Sequence, residues 1–321
     1  MKVRESRVLI VGAGAVGQVY GLHLRRGGAR VSFLVKPAHA AWCQQGFALH
    51  RLRGRGRRES QRLDDVEILT DPADAAGLAW DEIWLAVASD ALRGPWLASL
   101  LAGPSDATLV AVQPDLGDRA LLLRHVPEAR LVQGLIGFLS YQSPLPGDRE
   151  PPPGIAYALL PPAAGHFAGS PARVSPILAA LARGGFRARA VGDLPADSAV
   201  RSAASVPVVA ALELADWSLS RLRRSAVLGL GLRAAREAQA VVADAFGRRL
   251  SPLARLLHPL PVGLALPLAA RLAPFDLEAF LRFHFTKVGP QTRLMLGTWC
   301  ARGLAAGIST PALDELRERL T

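Results

Sequence analysis

The 321-residue sequence predicts an α/β fold: an N-terminal Rossmann-type, doubly wound sheet over residues 1–194, followed by an all-α C-terminal domain over residues 195–321. Three observations predict it. A short apolar run, Val8–Val11, flows directly into Gly12-Ala-Gly14-Ala-Val-Gly17 and a helical segment from Val16 to Arg26. Apolar strand-like runs then alternate with helix-like segments as far as Val191, the pattern of a parallel sheet with crossover helices. From Ala196 onward, long runs rich in Ala, Leu and Val recur without strand punctuation.

The glycines each have a mechanical reason. Gly12 allows the tight strand-to-helix turn, Gly14 removes a side chain where a pyrophosphate would approach, and Gly17 lets helix and strand pack closely. Ala15 and Val16 then open a helix whose free N–H groups and positive dipole end suit phosphate. The second strand, Ala29–Lys36, ends about twenty residues past the glycines, where an NAD-binding unit usually carries an acid for the ribose 2′-hydroxyl. No acid stands there, and the first charged residue is Lys36. Of 38 Lys plus Arg, the three lysines are Lys2, Lys36 and Lys287, so lysine at a phosphate position is a choice against the chain's own bias. Lys36 therefore predicts NADP as cofactor; the alternative is a solvated lysine at a strand end.

Further strands are expected at Trp80–Ser89, Thr108–Val112, Arg130–Leu139, Ile155–Leu160 and Phe186–Val191, with helices at Ala91–Leu101, Asp118–His125 and Ala172–Arg183. Ala88 and Ser89 then fall on the same sheet edge as the glycine turn, as does Pro114 after the next strand. The Pro-rich stretch Ser143–Gly154 reads as a loop. Helices are expected within Ser198–Leu222, Ser225–Phe246, Asp276–Phe285 and Gln291–Ala306, and the cleft between sheet and helices is the expected substrate site.

Composition narrows the function classes. Half the residues are apolar and 20% charged, which excludes a disordered chain. The net charge of +11 suits an anionic cofactor and a carboxylate substrate. The densest basic run, Arg51–Arg58, has no interleaved aromatics and reads as a solvated hairpin, so no nucleic-acid partner is expected. Leu260–Leu272 is too short to span a bilayer and carries Pro261 and Pro267; no membrane partner is expected, and a buried or homodimer-forming helix is. Two distant cysteines, Cys43 and Cys300, give neither a disulfide framework nor a metal site and fit a reducing cytoplasm.

Taken together, these residues resemble the ketopantoate reductase (2-dehydropantoate 2-reductase) family, as a divergent member. The likeness runs from Gly12–Gly17 and Lys36 through the hairpin opening at Gly46-Phe-Ala-Leu, Asp64–Ile68 and Ile83-Trp-Leu-Ala-Val, to Gly307-Ile-Ser-Thr-Pro311 near the C-terminal end. It implies reduction of a 2-oxo acid by NADPH, with a lysine protonating the developing alkoxide.

The match departs where that chemistry belongs. Ser202 stands at the family's general-acid lysine, Gln291 at its substrate-binding glutamate, Pro114 at an asparagine and Ser89 at a lysine beside the cofactor. Ketopantoate is therefore not the expected substrate. A replacement constellation is offered by His284, Lys287, Gln291 and Thr292. Their i, i+3, i+7 spacing places His284, Lys287 and Gln291 on one side of a helix, unless Gly289-Pro290 breaks it and presents Lys287 at a helix start. Lys287, provided burial lowers its pKa toward neutrality, or else His284 is then the proton donor, Ser202 a hydrogen-bonding hydroxyl, and Gln291 and Thr292 substrate-binding groups. The plainer reading is a core histidine and a solvated lysine. Three functions compete: an NADPH-dependent reductase of a small, anionic carbonyl compound, an opine-type dehydrogenase joining an amine to a 2-oxo acid, and a nucleotide-binding sensor without turnover.

Overall fold

A computed structural model describes residues 5–53, 57–103, 105–147, 151–159, 165–249, 258–273 and 275–321. Lys2, the centre of the arginine-rich run (54–56), residues 148–150 of the Pro-rich stretch and Leu160 lie outside them. The chain divides into two compact units, residues 1–113 with 118–194, and residues 114–117 with 195–321.

The first unit contains β1 (Arg7–Val11), α1 (Ala15–Arg26), β2 (Arg30–Leu34), α2 (Ala40–Cys43), β3 (Phe47–Arg53), β4 (Arg57–Leu63), β5 (Glu67–Leu69), α3 (Pro72–Ala76) and β6 (Glu82–Leu85). It continues with α4 (Trp96–Leu101), β7 (Thr108–Ala111), α5 (Asp118–Leu122), β8 (Leu131–Leu135), β9 (Phe138–Ser143), β10 (Gly154–Leu159), β11 (Gly165–Ala168), α6 (Pro171–Arg183) and β12 (Ala188–Ala190). The main sheet runs β12-β11-β8-β7-β6-β1-β2-β5. Its strands from β8 to β5 are parallel, and β11 joins β8 antiparallel. The chain winds outward from β1 in one direction and then, at β6, in the other. A crevice therefore opens beyond the carboxyl ends of β1 and β6, where such sheets take their ligands. β6 and β7 are buried throughout and β1 nearly so, which explains their continuous apolar reading.

A second sheet, β4-β3-β10-β9, covers the far side of α1. Gly17 through Leu24 are all buried in consequence. Among the polar groups trapped there, Gln18 Nε2 donates to the Ala13 carbonyl at 2.7 Å, and His23 Nδ1 lies 2.8 Å from the Gly184 carbonyl. Tyr20 packs against Trp84 at 4.8 Å and Phe138 at 5.2 Å between ring centroids.

Several sequence expectations need correction here. The single strand expected over Arg130–Leu139 is two, β8 and β9, in different sheets, because a continuous apolar run looks the same whether one sheet or two bury it. The helix expected over Ala91–Leu101 divides into a 3-10 turn, Asp90–Arg93, and α4. Gly94 takes an extended ψ of 155° before Pro95, whose ring disfavours helical geometry in the preceding residue. β11 went unread.

The second unit is helical: α7 (Leu194–Leu214), α8 (Leu219–Arg224), α9 (Ala226–Ala245), α10 (Pro259–Leu272), α11 (Leu277–Lys287), α12 (Gly289–Ala306) and α13 (Pro311–Glu318). The run Ser198–Leu222 splits into α7 and α8 where Asp216 and Trp217 adopt positive φ. Leu212, Leu222, Leu232, Val241, Leu296, Trp299 and Leu313 form its core. Gly307 ends α12 in left-handed geometry at φ 69°, and Pro311 opens α13. The carboxylate of Glu237 on α9 caps that last helix, accepting from Ala312 N at 3.1 Å and Leu313 N at 2.9 Å. Among the described residues, no single helix is long and apolar enough to cross a membrane.

Candidate functional site

Three pieces of backbone converge at the carboxyl edge of the main sheet: the turn after β1, the end of β2, and the loop after β6. Gly12 sits at φ 96°, and a Cβ there would meet the Ala86 carbonyl oxygen and Val87 Cγ1, each at 2.9 Å. A Cβ on Gly17 would lie 2.1 Å from the Gly12 carbonyl oxygen. These two glycines are therefore demanded by packing. Gly14 is different. It caps α1 at φ −75° and ψ −177°, angles open to any residue, and a Cβ there would meet nothing within 4 Å. Nothing inside the protein requires glycine at 14.

α1 begins at Ala15, and its first internal bond runs from Gln18 N to Gly14 O at 3.0 Å. The N–H groups of Ala15, Val16 and Gly17 are thus left without helical acceptors, and no acid in the first turn competes for them. The open space at Gly14 and these donors fit a pyrophosphate. At the end of β2, Lys36 is exposed in extended geometry ahead of the 3-10 turn Pro37–His39, and no carboxylate among the described residues pairs with it. A cation there suits a 2′-phosphate.

The loop after β6 is built otherwise than the sequence suggested. Ala88 is half-buried, but Ser89 is wholly enclosed, and its hydroxyl donates to Asp118 Oδ2 at 2.7 Å. The hydroxyl proton is thereby engaged inside the protein, by Asp118. Arg93 Nη1 closes the group, 2.7 Å from Asp118 Oδ1 and bonded to the Ser89 carbonyl. Unread in the sequence is Gln113, just ahead of the half-buried Pro114. Its Nε2 donates to the carbonyls of Leu85 at 2.6 Å and Val87 at 2.8 Å.

The remaining candidates belong to the second unit. Ser202 is half-buried on α7. His284, Lys287 and Gln291 do not share one helix face, because α11 ends at Lys287 and Pro290 opens α12 after Val288. Lys287 is the exposed last residue of α11, where the helix dipole favours a cation, and not the start of the next helix. His284 stacks on Phe280 at 5.5 Å and meets Phe285 edge-on at 4.8 Å. Burial, aided by the Lys287 charge, holds its pKa below the ordinary imidazole value, so it is neutral at pH 7. Thr292 is buried and Gln291 half-buried in the first turn of α12. Glu213 on α7 pairs with Arg293 of α12 at 2.7 Å. Among the described residues, no group of three His, Cys, Asp or Glu side chains could hold a metal ion.

Residues 8–72 match the family model described as ketopantoate reductase PanE/ApbA. No curated protein matches the chain. Among solved structures, the chain is similar to a PanE/ApbA family ketopantoate reductase from Ralstonia eutropha JMP134, at 19% identity and a TM-score of 0.74, over 98% of this chain and 97% of that one. A 2-dehydropantoate 2-reductase from Geobacter metallireducens GS-15 is 19% identical with a TM-score of 0.72, over 98% of both chains. A D-mandelate dehydrogenase solved with NADH and anilino(oxo)acetate is 15% identical with a TM-score of 0.69, over 98% of this chain and 96% of that one. At these identities the shared property is the fold.

Proposed function

We propose that this chain, which fits a divergent member of the ketopantoate reductase family, is an NADPH-dependent reductase of a small 2-oxo acid or related carbonyl compound other than ketopantoate. One observation carries the cofactor half: glycine at 14 is required by no neighbour in the protein and leaves open the approach to three unpaired helix N–H groups. The neighbouring structures include NADH complexes, so the preference for NADPH rests on this chain's own Lys36 and on the lack of an acid after β2.

When bound, the nicotinamide supplies a hydride to the carbonyl carbon. The residues Gly12–Gly17 hold the pyrophosphate and Lys36 the 2′-phosphate. Of the two candidate acids, His284 is packed against Phe280 and Phe285 while Lys287 is exposed at the end of α11, so Lys287 is assigned the proton that reaches the alkoxide. Ser202, Gln291 and Thr292 are assigned to the substrate. A homodimer belongs to the same reading, and the chain's cytoplasmic setting with it. Leu260, Leu264, Leu268 and Leu272 form an exposed stripe at helical spacing on α10. From Pro259 to Ala270 the helix carries no charge, so two copies meet there without the repulsion that a net charge of +11 imposes elsewhere.

Fluorescence titration with NADPH and NADH tests the cofactor assignment, repeated on Lys36→Ala. The expected result is a preference for NADPH that falls roughly tenfold or more in the variant while NADH binding is unchanged. A screen of 2-oxo acids, with and without amines, then follows NADPH oxidation. Turnover only with an amine selects the opine-type reaction. NADPH binding with no oxidation of it selects a sensor, the reading favoured by serine at 202.

A further inference from the structure

We propose that Gln113 is a positioning residue for the dinucleotide turn, acting through the backbone that follows β6; the inference rests on the nucleotide-binding reading above. Gln113 stands two residues past β7, the strand beside β6, and both of its amide protons are used on the Leu85 and Val87 carbonyls at 2.6 and 2.8 Å. Two acceptors on one nitrogen fix which way the amide faces. Its Oε1 is buried with no partner in the protein, so the bridging is done by the donor end alone.

The segment so held is the one on which the glycine turn rests. Ala86 N donates to the Val11 carbonyl at 2.9 Å. Gly12 leaves no room for a Cβ against Ala86 O and Val87 Cγ1, and a Cβ on Gly17 would come within 3.2 Å of Ala86 Cβ. A shift of Ala86–Val87 by a few tenths of an ångström therefore moves the turn that presents the Ala15–Gly17 amides. Gln113 ties that segment to β7, and the contact from its amide to the turn is continuous through Val87 and Gly12. Lys36 makes none of these contacts itself; the nearest of them, Gly12 N donating to the Leu34 carbonyl at 2.9 Å, ends two residues before it.

The separation gives the test. Gln113→Met keeps the length of the side chain without donors, and Gln113→Glu turns acceptors toward the two carbonyls. Binding of NADPH and of adenosine 2′-monophosphate, which carries the 2′-phosphate but no pyrophosphate, is measured on the parent and on both variants by calorimetry. Hydrogen exchange is followed on the ligand-free proteins. Expected are a loss of NADPH affinity of roughly tenfold or more, adenosine 2′-monophosphate affinity held to within about twofold, and faster exchange at residues 11–17 and 86–88. NADPH affinity equal to the parent's, or equal losses for both ligands, would overturn the proposal. Should the parent bind neither nucleotide, the nucleotide-binding reading fails by itself. The exchange data then decide on Gln113: unchanged rates at the glycine turn sink it, and faster rates confined to the turn and the loop after β6 support it.

Discussion

Ser89 and Asp118 share a 2.7 Å hydrogen bond inside the first unit, the hydroxyl donating to a carboxylate that is itself 3% exposed. A buried carboxylate holds its charge only with partners, and Arg93 supplies the second. Asp118→Ala would leave the Ser89 hydroxyl and the Arg93 guanidinium without this acceptor and should cost about 2–3 kcal/mol, read as a lower urea midpoint. Ser89→Ala should cost about 1 kcal/mol and leave NADPH affinity unchanged. A large loss of affinity in Ser89→Ala would return this residue to the cofactor site.

The glycine turn predicts two alanine variants with opposite symptoms. Gly17→Ala drives a Cβ to 2.1 Å from the Gly12 carbonyl oxygen, so the expected outcome is poor folding and a loss of at least about 3 kcal/mol. Gly14→Ala meets nothing in the protein and keeps an ordinary backbone conformation. Its melting temperature should match the parent's, while NADPH binding falls at least tenfold, roughly, because the methyl group occupies the ligand's approach. Thermal scans with and without NADPH separate the two.

The same turn shows what the sequence made legible. Gly12, Gly14 and Gly17 act within six residues of one another, so their roles are local and their spacing is enough. The doubly wound, parallel character of the main sheet follows from the alternation of strands and helices. Ser89 and Gln113 were unreadable for the complementary reason: their partners, Asp118, Leu85 and Val87, are 26 to 29 positions away in sequence. The helix face expected from His284 to Gln291 failed on a local signal that was visible, since Gly289-Pro290 does start a new helix. Periodicity counted across that break grouped residues that belong to separate helices.

α10 should report on self-association. It packs Val262, Leu266 and Ala270, each half-buried, against its own unit and leaves Leu260, Leu264, Leu268 and Leu272 exposed. Leu264→Asp with Leu268→Asp places charges on the outward face only. Sedimentation should show a dimer for the parent and a monomer for the double variant, with an unchanged circular dichroism spectrum. A monomeric parent removes the homodimer from the proposal.

Glu82 sets a pH dependence whose sign can be worked out. It is 5% exposed on β6, its pKa is raised to about 7 by burial, opposed by the Trp84 hydrogen bond and increased by Asp81. Below the unfolded value of 4.5 both states are protonated and Glu82 contributes no slope. Between 4.5 and about 7 the unfolded chain ionises first, the folded state holds the extra proton, and stability falls as pH rises. Above that range the buried carboxylate is a constant penalty of roughly 3 kcal/mol. His284 has the opposite sign: its lowered pKa means that stability is full above the ordinary imidazole value of 6.5 and is lost as pH falls below it. Glu82→Gln keeps an oxygen for Trp84 Nε1, which donates to Oε2 at 2.7 Å, and removes the charge. The variant should match the parent near pH 4 and exceed it by up to about 3 kcal/mol at pH 8, measured by urea unfolding across the series. Equal stability at pH 8 would mean that the carboxylate reaches solvent when ionised, and the raised pKa would have to be given up.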